Sequence, residues 1–156
     1  MSNKPFTEWN DELSVGIEEI DAQHKLLVGL VNKLYEQTIV HQADTAVLDA
    51  ILHELIEYTV IHFAVEESLF RIFDYPFTEI HTQHHNDLKA QVLEIQQKVK
   101  RGETAVNIEL LLFLQKWLQH HILEEDKLYG PFLLQQGVKS HSPKSSWLGR
   151  LWHKTA

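Results

Sequence analysis

The feature that most constrains this chain is the length of its uninterrupted helical periods. Six glycines and four prolines punctuate 156 residues. Between them apolar side chains recur about every 3.6 positions over several turns at a time, the mark of amphipathic helices, and strand alternation is not evident. The spacing predicts a first helix from about Asp21 to Val40, with Asp21 placed to cap its start, and a second from about Asp44 to Phe73. That second helix should stop before Asp74-Tyr75-Pro76, because the residue preceding a proline resists the helical region. A third helix follows from about Phe77 to Lys100, ending at the basic-then-glycine step Arg101-Gly102. A fourth starts between Ala105 and Asn107 and runs to about Tyr129, where Gly130-Pro131 should break or bend it. Short connections make neighbours antiparallel, so the expected fold is all-α: an up-down-up-down four-helix bundle behind an irregular arm reaching to about residue 20.

Composition bears on what such a bundle can hold. There is no cysteine, so disulfides, thiolate metal sites and iron–sulfur clusters are excluded, and any metal must be bound by nitrogen and oxygen. A formal charge of −8 argues against nucleic acid as a partner. The charge is also unevenly spread. Residues 137–156 contain Lys139, Lys144, Arg150 and Lys154 and no acid, which leaves ten basic against 22 acidic residues in 1–136, a formal −12. Two units are therefore expected, a bundle with its arm over 1–136 and a short basic C-terminal tail over 137–156. Trp147, Leu148, Leu151 and Trp152 recur at one-turn spacing in the tail. Such a segment offers a docking element for an anionic membrane surface or a protein partner, although so short a helix is marginal alone. No run is long and apolar enough for a membrane span, and the N-terminus lacks the apolar core of a signal peptide, which points to the cytoplasm.

Histidine is the unusual residue, with eleven copies. A helix turns about 100° per residue, so each can be placed against the apolar stripe of its own helix. Around Leu55, the residues Leu48, Ile51, Leu52, Leu69, Phe70 and Phe73 form one stripe, and His62 and Glu66 lie about 20° to either side of its centre. His53 and Glu57 share their spacing but fall on the solvent side. On the third helix His81 and His85 flank the stripe of Leu88, Val92, Ile95 and Val99, whereas His84 lies about 80° away. His24 shares a face with Leu27, Val28, Val31 and Tyr35, and His121 lies among Leu110, Leu111, Leu114, Leu118 and Leu128. All four helices direct histidine inward.

One inward histidine would ordinarily be a hydrogen-bonded core residue. Five, together with an inward glutamate, are a different matter, since each buried unsatisfied polar group costs roughly 1–3 kcal/mol. A metal removes that cost. Imidazole and carboxylate suit iron, zinc, copper or manganese, and the number of donors fits two ions sharing carboxylates better than one. The fourth helix should supply a second carboxylate near His121. By angle alone Glu125, four residues on, is preferred to Asp126, which is rotated by about 140°.

These residues resemble the bacterial branch of the hemerythrin family. The likeness is loose over the arm, at Trp9, Leu13, Ser14, Val15, Gly16 and Ile17. It is tight through Ile20-Asp21-Ala22-Gln23-His24-Lys25, His62-Phe63-Ala64-Val65-Glu66-Glu67, Tyr75-Pro76, His81 with His85, and His121-Ile122 with Asp126, so that it spans about residues 9–132. The resemblance implies two iron ions per chain in a non-haem di-iron centre. His81, His85 and His121 would bind one iron, His24 and His62 the other, and Glu66 and Asp126 would bridge them. It thus prefers Asp126 to Glu125, which requires a local distortion of the helix to turn Asp126 inward. Dioxygen would bind reversibly at the iron with two histidines, where a position is open. The remaining histidines, His41, His53, His84, His120, His141 and His153, are expected not to be ligands. One departure is Asp74, where the family often has glycine before Tyr-Pro.

The implied function is oxygen carriage, storage or delivery rather than catalysis. A sensor of oxygen or nitric oxide acting through a partner is the first alternative. A di-iron oxidase is the second, but such sites use Glu-x-x-His on two helices, and this chain contains no Glu-x-x-His.

Overall fold

The structure is a computed structural model that describes residues 4–138 and Ser140. The described residues are helical and contain no strand. Helix α1 spans Glu18–Tyr35 and continues into a π-helical turn, Glu36–Val40. Helix α2 spans Thr45–Ile72, α3 spans Thr78–Lys100, and α4 spans Ile108–His120. A second π-helical turn, His121–Asp126, joins α4 to α5, Lys127–Gln135. Helix α1 packs against α2 and α4, and α2 packs against α3, which makes a four-helix bundle whose fourth member is α4, the π turn and α5 in succession.

Local chemistry sets most of the boundaries. The Asp44 carboxylate accepts from the Val47 amide at the start of α2, and the Asn107 side chain accepts from Leu110 at the start of α4. Arg101 and Gly102 end α3 as the sequence suggests, with Gly102 at φ 74°. Asp74 sits at φ 52°, the left-handed region, immediately after α2. An aspartate tolerates that conformation better than most residues, which is why it can stand where glycine would be expected.

Three features differ from expectation. Helix α1 starts at Glu18, a turn before Asp21, so Asp21 is not its cap. Its carboxylate instead accepts from the Ser14 hydroxyl and, at 2.8 Å, from the Val15 amide, which ties the arm to α1. The amide of Glu18 donates to the Ser140 carbonyl at 2.7 Å, which satisfies the first amide of α1. The arm is also more regular than expected: Asn10 caps a 3-10 turn, Asp11–Leu13, and Asn32 of α1 makes two hydrogen bonds with the Thr7 backbone.

Gly130-Pro131 does not break the fourth helix, which runs through it to Gln135. The glycine is there for another reason. A Cβ on Gly130 would lie 2.2 Å from the Val15 carbonyl oxygen, so only glycine lets the arm cross α5 this closely.

The core falls into two parts. The larger includes Leu27, Val31, Leu52, Leu55, Phe63, Leu111, Leu114, Leu118 and Ile122, and the smaller includes Ile17, Ile20, Val65, Leu69, Phe70, Tyr129 and Leu133. Both contain apolar neighbours of the inward histidines, since Phe63 stacks on His85 and Phe70 meets His81 edge-on.

Candidate metal centre

His24 comes from α1, His62 and Glu66 from α2, His81 and His85 from α3, and His121 and Asp126 from the two ends of the second π turn. All seven are buried, none more than 5% exposed. Their donor atoms fall into two groups, each compact within 4.8 Å. One is Glu66, His81, His85, His121 and Asp126, and the other is His24, His62, Glu66 and Asp126. The two carboxylates belong to both groups.

Every histidine of the set turns Nε2 toward these carboxylates. His24 Nε2 lies 3.0 Å from Asp126 Oδ2, while His81 and His121 Nε2 each lie 3.1 Å from Asp126 Oδ1. His62 and His85 Nε2 each lie 3.2 Å from Glu66 Oε1. Yet both Glu66 oxygens, Asp126 Oδ2, and Nε2 of His85 and His121 have no properly directed hydrogen-bond partner. The protons belong on the other side of the rings. His62 Nδ1 donates to Gln23 Oε1 at 2.7 Å, His85 Nδ1 faces Glu67 at 3.4 Å, and His121 Nδ1 donates to Glu125 Oε2 at 2.6 Å. With Nδ1 donating outward, the inner Nε2 atoms face the carboxylates across gaps that only a proton or a metal cation can fill, so the donor set fits metal ions.

The electrostatics follow from the same crowding. Burial favours the neutral form of the Glu66 carboxyl, but His62 and His85 beside it hold it down at about 2. Asp126 is likewise penalised by burial and is held well below the ordinary carboxylate range by His121, His24, His62 and His81. Burial lowers the His62 imidazole, whereas at His121 the pull of Asp126 and Glu125 overcomes burial and raises it to about 9. A cation entering here replaces protons held on imidazole, so loading releases them.

The π turn decides between the two carboxylates of the fourth helix. On an ideal helix Glu125 lies above His121, but in a π turn the hydrogen bond closes over five residues, and position i+5 comes round to the same face. Asp126 is accordingly fully buried against His121 Nε2, while Glu125 reaches around to the outer nitrogen of the same ring. Ideal helical angles fail here because the helix is not ideal.

The other histidines lie elsewhere. His41 pairs with Glu36, and His53 with Glu57 and Gln96, while His120 is exposed. His84 Nδ1 lies 3.0 Å from Glu125 Oε1, and His141 and His153 lie outside the described residues. Sequence reasoning missed the side chains behind the inward histidines, Gln23, Glu67 and Glu125 in that role. Gln23 had left a signal. It is 1% exposed and sits at i+3 and i−4 from Ile20 and Leu27, a polar residue on a core stripe.

An antiparallel helical bundle with two overlapping groups of buried imidazoles and carboxylates defines a class, the helical proteins that hold a pair of cations in the bundle interior. The family model described as the hemerythrin HHE cation binding domain matches residues 15–133. The bacteriohemerythrin of Stenotrophomonas maltophilia is 33% identical over 146 residues, covering 91% of this chain and 92% of the relative. That of Methylococcus capsulatus is 33% identical over 122 residues, covering 78% and 92%. A crystal structure of wild-type hemerythrin superposes with a TM-score of 0.77 at 32% identity, covering 82% of this chain and 98% of that one. The chain belongs to the hemerythrin family, whose cofactor is a non-haem di-iron centre that binds dioxygen.

Proposed function

We propose that this chain carries, stores or delivers dioxygen in the cytoplasm. In this reading His81, His85 and His121 hold one iron, His24 and His62 hold the other, and Glu66 and Asp126 bridge them. The observation that carries it is the division of seven buried donors into two groups that share both carboxylates. The group with two histidines has fewer protein donors, which leaves a position for an external ligand. When bound, the two ferrous ions supply the two electrons that dioxygen accepts and returns.

The chain's own residues serve the reversibility. Phe63 and Phe70 are buried against His85 and His81, and Ile122, wholly buried, follows His121 directly. They keep water and stray protons from the site, and with them the side reactions that would leave the iron ferric. Gln23, Glu67 and Glu125 hold their imidazoles with the lone pair inward.

The test is an absorption spectrum of the iron-reconstituted protein through repeated cycles of oxygenation and deoxygenation, with metal analysis alongside. Two irons per chain and a colour that comes and goes with oxygen are expected. A single iron would overturn the site assignment, steady oxygen consumption with a reductant would favour an oxidase, and an oxygen-dependent change in binding to a partner would favour a sensor.

We propose further that the metal-binding unit spans 1–136 and that the basic tail, 137–156, is a docking element for an anionic membrane surface or a partner protein. Among the described residues no helix is long and apolar enough to cross a membrane. Anionic vesicles should co-sediment with the full chain at low salt and not with a chain ending at Gln136. Equal sedimentation of the two would remove the membrane role.

A further inference from the structure

We infer that Glu125, backed by His84, is a positioning residue for His121 that makes the three-histidine pocket the more firmly held of the two. The inference rests on the reading that the seven buried residues hold two irons, and it concerns what stands behind them.

The outer nitrogens of the ligand histidines are not treated alike. In the three-histidine group, His121 Nδ1 meets Glu125 at 2.6 Å and His85 Nδ1 meets Glu67 at 3.4 Å. In the two-histidine group, His62 Nδ1 meets the neutral amide of Gln23, and His24 Nδ1 has no hydrogen-bond partner. Carboxylates thus stand behind one pocket and none behind the other. A carboxylate that accepts from Nδ1–H fixes the ring's tautomer and orientation and makes Nε2 a stronger donor to metal.

Glu125 is held for this task. Its Oε2 accepts from His121 Nδ1–H while its Oε1 lies 3.0 Å from Nδ1 of His84, which sits on α3 next to the ligand His85. The arrangement therefore ties the π turn to α3. It also uses the π turn twice, because the turn that brings Asp126 to the inner nitrogen of His121 leaves Glu125 over the outer one. Adjacent acidic residues serve opposite edges of one ring. Glu125 is partly exposed and His84 more so, which separates them from the seven buried donors and makes them accessible to substitution without opening the core.

The experiment uses the full chain reconstituted with iron and measures iron release to a ferrous chelator, together with the midpoint potential. Glu125→Gln keeps the size and an acceptor oxygen but removes the charge. One of the two irons should then leave about 10–100-fold faster than in the unaltered protein, with the other unchanged, and the potential should rise. His84→Ala should act in the same direction and more weakly, and His120→Ala, an exposed neighbour, should do nothing. Glu125→Asp, too short to reach both histidines, provides a second variant, and circular dichroism establishes that each variant is folded. Unaltered release and potential in both Glu125 variants would overturn the inference, and so would equal acceleration of both irons. If the unaltered protein itself fails to hold two irons, the fault lies in the ligand assignment, not in the role of Glu125.

Discussion

Two helical edges of this bundle present histidine and carboxylate to the same interior, and they do it by different geometry. On α2, His62 and Glu66 stand four residues apart on a regular helix, and their Nε2 and Oε1 atoms lie 3.2 Å apart. On the opposite edge His121 and Asp126 stand five apart, and a π turn confined to those six residues brings them within 3.1 Å. On the regular helix a single carboxylate, Glu66, meets the inner nitrogen of His62. A π turn offers that and, from the residue before, a second carboxylate at the outer nitrogen. The regular edge borrows its outer partner, Gln23, from α1.

Removing Asp126 should have the largest effect on the π-turn edge. Asp126→Ala should lose both irons, because the carboxylate belongs to both groups, whereas Glu125→Ala should retain about two per chain and release one more readily. Metal analysis after gel filtration distinguishes them, and the reverse result would restore the angular preference for Glu125. Single removals come next in size. His62→Ala should cost the two-histidine pocket and His121→Ala the three-histidine pocket, and the pair together should leave no iron.

A third effect concerns the fourth helix beyond the turn. Gly130→Ala pushes a methyl group into the Val15 carbonyl and should destabilise the fold by about 1–3 kcal/mol, read by denaturant unfolding. Unchanged stability would mean that the arm does not lie over α5.

The metal-free protein should also reveal His121 through pH. Its imidazole is raised from 6.5 to about 9 by Asp126 and Glu125. A raised value stabilises the fold fully below 6.5, and that contribution is lost as pH rises through about 9. The melting temperature of the metal-free protein should therefore fall between about pH 7 and 9, and Glu125→Gln should flatten the fall. The smallest effect lies at the end of the regular edge. Asp74→Gly relieves a left-handed residue and should stabilise by up to about 1 kcal/mol, without changing iron content.

Much of this was legible in the residues. Period and breakers gave four helices, and the inward angles of His24, His62, Glu66, His81, His85 and His121 singled out side chains that the structure gathers in one interior. The misses share a cause. Asp21 reads as a cap and Gly130 as a breaker only if each helix is considered alone. Asp21 in fact receives the arm's hydrogen bonds, and Gly130 lies beneath the arm's backbone. Helix angle alone favours Glu125, whereas the family resemblance preferred Asp126, the residue that the π turn brings to His121 Nε2.

The number of helices and their apolar faces follow from the sequence, because helix period, capping and burial of apolar stripes depend on residues a few positions apart. Tertiary structure decided which acid of Glu125-Asp126 turns inward, how seven donors divide into two groups, and which imidazoles have a carboxylate behind them. Those outcomes depend on contacts between helices far apart in the chain and on a local departure from helical geometry. A pattern drawn along one ideal helix contains neither.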